Sequence, residues 1–347
     1  MAVQLQERTS PALEKLDFSD KQLTHWPSKD LPFNLTKLCL NSNSLIQVPD
    51  EIAKLSHLKE FDISNNLIQK ISESFGSLEF LTIFTAKNNK IVELPENLSK
   101  LRKLKSLNLA GNLLQKIPIQ VCDLARLESL HFGGNLINEI PPEIQHIERL
   151  QYLYLGGNQI EKVPVEVGQL RNLLSLNLSS NRITVLPREL DQLKSLESLL
   201  LHHNLLHFLP KNIINLENLL ELSLRHNPLV HKFKLKVEKQ VPSLVELSCY
   251  IIKKLHIPYE TIIPKYLTNY LDGSKECDNP NCDGVYFETK VKKLQFVDFC
   301  GRYRVPLLEY LCNYCEYPST LDGFSSSGSE DDEPTKASLK KIIMENL

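Results

Sequence analysis

Leu173-Leu-Ser-Leu-Asn-Leu-Ser-Ser-Asn-Arg-Ile-Thr-Val-Leu-Pro187 is the stretch whose reading decides the fold. Leu173, Leu176, Leu178, Asn181 and Ile183 stand in a fixed frame: apolar, two free positions, apolar, one free, apolar, two free, Asn, one free, apolar. Leu104, Leu107, Leu109, Asn112 and Leu114 repeat it. The asparagine recurs at Asn43, Asn66, Asn89, Asn112, Asn135, Asn158, Asn181, Asn204 and Asn227, each 23 residues after the last. Apolar residues at alternate positions predict a short strand with one buried face. The Asn falls where the chain turns out of that strand. Its side chain supplies a donor and an acceptor together, which suits backbone groups trapped between stacked coils. A proline follows at Pro49, Pro95, Pro118, Pro141, Pro164, Pro187 and Pro210 and opens a convex segment. Apolar pairs such as Ile52 and Leu55, or Leu190 and Leu193, close the core from that side. One coil cannot bury its own face, so stacking must make the core continuous.

This frame is the leucine-rich repeat signature. Leu13, Leu16, Phe18, Lys21 and Leu23 follow it with Lys21 in the Asn place, and the step to Asn43 is 22. A terminal coil has one face in water and is expected to be atypical. The expected fold is therefore α/β: a leucine-rich repeat solenoid (horseshoe) of ten 23-residue repeats, with a helical cap and a small zinc-ribbon-like C-terminal module. The expected divisions are a flexible lead at 1–12, the solenoid at 13–230, and a cap with a helical segment at 231–272. A cysteine module at 273–320 and an acidic, serine-rich disordered tail at 321–347 follow.

Net charge is −2, which points to neither nucleic acid nor an anionic membrane. No apolar run reaches membrane-spanning length. Met1 to Arg8 is polar, without a signal-peptide core. No paired cysteines flank the repeats as a disulfide cap would. The expectation is a reducing compartment, cytoplasmic or nuclear.

On the concave face, small residues such as Ser106, Gly133 and Ser175 occupy the middle. Larger groups gather beyond them: His131, Tyr152, Tyr154, Leu200, His202, His203, Arg225 and His226. Tyr and Arg are favoured interface anchors, so these eight are the expected substrate-binding patch; the competing reading is plain solvated surface.

After Val230 the period ends, and His231 to Gln240 alternates Lys with apolar residues. Ser243 and Glu246 have capping-box spacing and predict a helix start. Leu244, Ser248, Ile251, Ile252 and Leu255 then share one helical face, with Pro258 expected to end the helix. Ser243, Leu244, Ser248 and Ile252 resemble a BC box, the helix by which substrate receptors dock on elongin C. The resemblance implies that Leu244, Leu247, Ser248 and Ile252 contact elongin, in helix-in-groove fashion. Ile263, Pro264, Leu267, Tyr270 and Leu271 resemble a cullin box, which implies cullin contact there. Tyr266 stands where the second proline of that box belongs, which leaves the choice of cullin open. Together the two pieces resemble a SOCS box.

Cys277 and Cys282 form one close pair, Cys312 and Cys315 another. Two thiolate pairs on two turns suit tetrahedral, structural zinc with no open coordination position. Reduced buried thiols and disulfides are the alternatives, and Cys300 is an odd fifth. Val285 to Phe287 and Leu294 to Phe299 read as strands between the pairs.

Leu222 to Val230, Gly284 to Phe287 and Phe296 to Cys312 are similar to the leucine-rich repeat-containing protein 58 family. That family joins a repeat array, a helical segment and a cysteine module. No phosphate loop, HExxH or GxSxG motif occurs, so no enzyme is expected. The expected function lies in the ubiquitin-like conjugation pathway: a substrate-recognition subunit of an elongin B/C–cullin–RING E3 ligase. The alternative is a signalling scaffold whose helical segment serves only as a cap.

Overall fold

The computed structural model describes residues 15–27, 31–230, 242–260, 262–279, 282–299, 303–313 and 315. The 1–12 lead, His231 to Gln240, Cys300 and the 321–347 tail lie outside the described residues. The described chain forms two units. One comprises 15–206 and 212–228, the other 207–211 and the residues from 229 onward.

In the first unit ten three-residue strands follow one another: β1 (Lys15–Asp17), β2 (Lys37–Cys39), β3 (Glu60–Asp62), β4 (Ile83–Thr85), β5 (Ser106–Asn108), β6 (Ser129–His131), β7 (Tyr152–Tyr154), β8 (Ser175–Asn177), β9 (Ser198–Leu200) and β10 (Glu221–Ser223). They make one parallel sheet in chain order, and Leu153, Leu176 and Leu199 sit level in register. The fold is a leucine-rich repeat solenoid. The central residue of each strand points inward. Leu107, Leu130, Leu153 and Leu176 are wholly buried, facing Leu98, Ile144, Val167 and Leu190 of the convex side. Phe61, Phe75 and Phe84 fill the N-terminal part of this core, with Phe75 and Phe84 ring centroids 4.6 Å apart.

The asparagine works as the period implies. Asn135 Oδ1 accepts from Leu114 N–H at 3.1 Å in the preceding coil. Its Nδ2 donates to Leu109 O of that coil and to Phe132 O of its own, both at 3.0 Å. The same three bonds recur at Asn66, Asn112 and Asn181, so the side chains are buried yet satisfied. The residue just before each Asn is left-handed. Gly111, Gly134 and Gly157 take it in the middle coils with φ of 70, 65 and 71°. Asn65, Asn88, Ser180, His203 and His226 take it elsewhere.

On the convex side Pro95, Pro141, Pro164 and Pro187 each precede a short 3-10 turn. One coil lacks the proline. There Ser72 takes the place, and its hydroxyl accepts from Ser74 N–H, capping the turn by a side chain instead of a fixed φ.

The second unit begins with helix α1 (Leu244–Lys254), started by the expected capping box of Ser243 and Glu246. It stops at Lys254, with Leu255 as C-cap and His256 left-handed, so Pro258 is not what ends it. Helix α2 (Lys265–Asp272) follows. Lys253 Nζ donates to Tyr259 Oη, which donates to Asp272 Oδ1 at 2.6 Å, tying the two helices together. Strands β11 (Lys275–Glu276) and β12 (Val285–Tyr286) pair antiparallel around the first cysteine turn. Strands β13 (Val291–Phe299) and β14 (Tyr303–Leu311) form a longer hairpin. Leu209–Pro210 adds a parallel strand beside β14, and 207–211 groups with this unit. The buried Glu309 carboxylate is paired there with Lys211 at 3.1 Å and Lys293 at 3.8 Å.

Candidate functional site

The outer face of the sheet is the surface of the repeat unit on which the expected patch lies. From β4 to β9 the outward strand positions are Ile83, Thr85, Ser106, Asn108, Ser129, His131, then the residues of β7 to β9, and none is Asp, Glu, Lys or Arg. Charges return only at Glu60 and Asp62 on one side and Glu221 on the other. The expected aromatic groups cluster within this neutral band. Tyr152 is 37% exposed and stacks with Tyr154 at 6.4 Å, and His131 lies 4.5 Å from the Tyr154 ring. Ser129 Oγ and His131 Nε2 are hydrogen-bonded at 2.7 Å. Burial lowers the His131 pKa.

Leu200 and His202 are half-buried, and His203, Arg225 and His226 are exposed. His203 and His226 stack at 4.2 Å between ring centroids, with 14° between planes. Their shared left-handed backbone, 23 residues apart, aims both rings alike; sequence spacing alone did not reveal that constraint. Burial first, then neighbouring His203 and Arg225, lower the His202 pKa.

In the second unit α1 has two unlike faces. Leu244 is 82% exposed, Leu255 64% and Ile251 51%, and Ser248 is exposed between them. Leu247 and Ile252 are half-buried. The opposite face, Glu246, Cys249 and Tyr250, is buried. Of the expected cullin-box residues, Pro264 is exposed and Ile263 and Leu267 are half-buried. Two face inward: Leu271 is wholly buried and Tyr270 stacks flat on Phe287 at 5.1 Å. Leu271 is thus core of this unit, whereas Ile262 and Tyr266 beside the box are exposed above 70%.

The cysteines converge. Sγ atoms of Cys277, Cys282, Cys312 and Cys315 all lie within 4.8 Å of one another. Cys277 faces Cys315 at 3.9 Å and Cys282 faces Cys312 at 3.6 Å, so the two turns interleave. Disulfide sulfurs would be about 2.0 Å apart, and these are free thiols. Metal–sulfur bonds of about 2.3 Å place tetrahedral thiolates about 3.8 Å apart, which this cluster matches. Three sulfurs also receive N–H donors: Cys277 from Cys312 N, Cys282 from Gly284 N, and Cys315 from Asn279 Nδ2 at 2.8 Å. Such donors accompany metal-bound thiolates.

Gly284 is required at this point. A Cβ on it would stand 2.8 Å from Cys312 Sγ and 3.1 Å from Cys282 Sγ. Burial raises the Cys282 thiol, but the Gly284 N–H and neighbouring thiols outweigh it and hold its pKa below the ordinary value. Burial and the nearby Cys277 push Cys315 up to about 11. Crowded thiols cannot all ionise without a cation among them. The residues present therefore fit a metal ion, held by four sulfurs. Cys122, by contrast, is buried alone and pushed up to about 12, an inert core thiol.

A family model described as leucine rich repeat matches residues 33–91, 102–160 and 148–206. Leucine-rich repeat-containing protein 58 of Xenopus laevis is 42% identical over 120 residues, 34% of this chain and 34% of that protein. The protein of the same name from Homo sapiens is 44% identical over 87 residues, 25% of this chain and 24% of its own length. The match thus spans about a third or less of these curated relatives. Among solved structures, a leucine-rich repeat protein of Leptospira interrogans aligns with a TM-score of 0.52 at 30% identity, covering 63% of this chain and 68% of that one. The Arabidopsis receptor kinase HAESA, solved with the peptide hormone IDA and the co-receptor SERK1, aligns with a TM-score of 0.55 at 28% identity, covering 62% of this chain and 38% of that one.

Proposed function

We propose that this chain is the substrate-recognition subunit of an elongin B/C–cullin–RING ubiquitin ligase, a receptor without catalytic residues of its own. One observation carries the reading. Leu244 and Ser248 of the stretch that resembles a BC box are exposed, with Ile251 and Leu255 beside them and Leu247 and Ile252 half-buried at the margins, while the face of Glu246, Cys249 and Tyr250 is buried in the second unit. A lone amphipathic helix buries its apolar stripe; this one buries the opposite side and offers the stripe to solvent. Leu244 would enter a pocket of elongin C, with Ser248 allowing close helix approach and Leu247 and Ile252 flanking. Ile263, Pro264 and Leu267 would contribute the cullin contact, with Tyr270 and Leu271 supporting it from inside.

The neutral, aromatic band of the repeat sheet would hold the target protein, since charge depletion with tyrosine enrichment marks interface centres. HAESA is solved in complex with a peptide hormone and a co-receptor, which accords with a repeat array used for recognition. The four thiolates would bind zinc structurally, in the coordination they complete. Ligase activity would then be proximity: a bound target's lysine held at high effective concentration near the ubiquitin carrier.

Co-expression of the full chain with elongin B/C, followed by size exclusion, tests this. A stable complex is expected, and Leu244→Asp should abolish it with the repeats still folded. If no wild-type complex forms, α1 and α2 serve only the second unit's fold, and the protein is a scaffold.

A further inference from the structure

The cysteine cluster and the exposed helix stripe are joined by two sets of contacts. The first runs through Tyr250. Its ring packs with Tyr286 and Cys312 in one buried cluster, flanked by Cys277, Cys282 and Cys315. A Cβ built on Gly284 would meet Cys312 Sγ, Cys282 Sγ and, at 3.3 Å, Tyr250 Cε2. The tyrosine of α1 therefore reaches the same point as two of the sulfurs.

The second set runs through Glu246. Its Oε1 accepts from Thr289 N at 2.8 Å and from Thr289 Oγ1 at 3.0 Å. Thr289 Oγ1 in turn accepts from Asn313 Nδ2 at 2.9 Å. Asn313 lies inside the turn between Cys312 and Cys315. Glu246 Oε2 meanwhile accepts from Ser243 N and so caps α1. One carboxylate thus starts the helix and, relayed by Thr289, links it to the second cysteine turn. Tyr270 on Phe287 does the equivalent for α2.

We propose that a metal ion in the four-thiolate site holds α1 in place, so that the docking stripe is presented only by the metal-loaded protein. The physical case is one of covered area. Tyr250 and Glu246 are buried anchors of α1; Tyr250 packs directly on the cysteines, and Glu246 reaches the second cysteine turn through Thr289 and Asn313. Short helices of this length are marginal in water without packing. Without a cation the two cysteine turns are joined only by a few hydrogen bonds, such as Cys312 N to Cys277 Sγ and Asp278 N to Tyr310 O, and bound metal adds the larger attraction. Losing the metal frees the turns, then Tyr250 and Thr289, then the helix. This inference rests on the reading of α1 as a docking helix only for its consequence, not for the coupling itself.

The experiment uses the full chain, loaded with Zn²⁺ or stripped by a chelator, with Gly284→Ala alongside. That variant keeps all four thiols but puts a methyl against two of them. Zinc content, amide exchange and elongin B/C capture are measured on each sample. Expected are one zinc per chain and a fall in protection of 244–254 by about 100-fold on chelation. Protection of the repeat strands should be unchanged, capture should be lost with the metal, and added Zn²⁺ should restore both. Gly284→Ala should need more Zn²⁺ for the same protection. Equal protection of 244–254 with and without metal overturns the inference, as does a chain that takes up no zinc. Metal-dependent protection without any elongin capture leaves the coupling standing and removes the docking reading instead.

Discussion

The two units solve the same problem, keeping buried polar groups satisfied, in opposite ways. In the repeats each buried Asn bonds the coil before it, and the pattern is copied along the chain from Asn43 to Asn227. Stability there is a sum over similar neighbours, so each site contributes a modest share. In the second unit the centre is four thiols, one aromatic anchor, Tyr250, and one carboxylate, Glu246, each present once. A spread network tolerates the loss of a member, whereas a single centre does not. The difference teaches where each unit can be switched. The repeats are held by their own side chains, and the cysteine unit is the part whose order we propose to depend on a bound metal.

The sharpest way to break this contrast is Cys282→Ser. Removing a ligand from a four-thiolate site gives up much of a metal contribution of about 10 kcal/mol in small zinc domains. The second unit should lose its cooperative melting transition while the transition of the repeats stays within a degree or so. Two transitions that fall together would show one cooperative block and end the comparison.

Asn135→Ala is the counterpart in the repeats. It orphans the buried Leu114 N–H and takes one of two amide donors from the carbonyls of Leu109 and Phe132, which keep Asn112 and Asn158. At ~1–3 kcal/mol for one unsatisfied buried donor, a loss of about 2 kcal/mol is expected in urea unfolding of the repeats. Zinc content should not change. A cost under about 1 kcal/mol would mean that water enters the ladder and replaces the amide.

How much of this could be read beforehand follows from the range of each signal. The ten strands, their order and the ladder were legible because the same spacing recurs and every partner lies one period away. The convergence of Cys277, Cys282, Cys312 and Cys315 was legible from ligand chemistry, though not that Cys277 would face Cys315 instead of its sequence neighbour. The α1 stripe was legible from helical spacing. What covers the other face was not, because Tyr250 and Glu246 meet Gly284 and Thr289 across a gap that leaves no periodic mark. The same reason hid Leu209–Pro210 pairing with Leu307–Leu308, nearly a hundred residues away. Ser72 in the place of a proline escaped because a side-chain cap and a fixed φ do one job with unlike residues.

The smallest expected effect tests the carboxylate anchor. Burial raises the Glu246 pKa, but the donors from Thr289 and Ser243 outweigh it, and the net shift is downward. A carboxylate held below its unfolded value, about 4.3, contributes stability that is fully present above that value. The contribution is lost as pH falls through the folded one. Glu246→Gln keeps the shape and removes the charge, and should cost about 1–2 kcal/mol near neutrality, the worth of hydrogen bonds to a charged acceptor. Following the second unit's unfolding in parent and variant across acidic pH should show the gap closing below about pH 4, with the repeats indifferent to the substitution throughout. A gap that stays constant with pH would assign the anchor to packing alone, and α1 would then hang on Tyr250 and the cysteine turns.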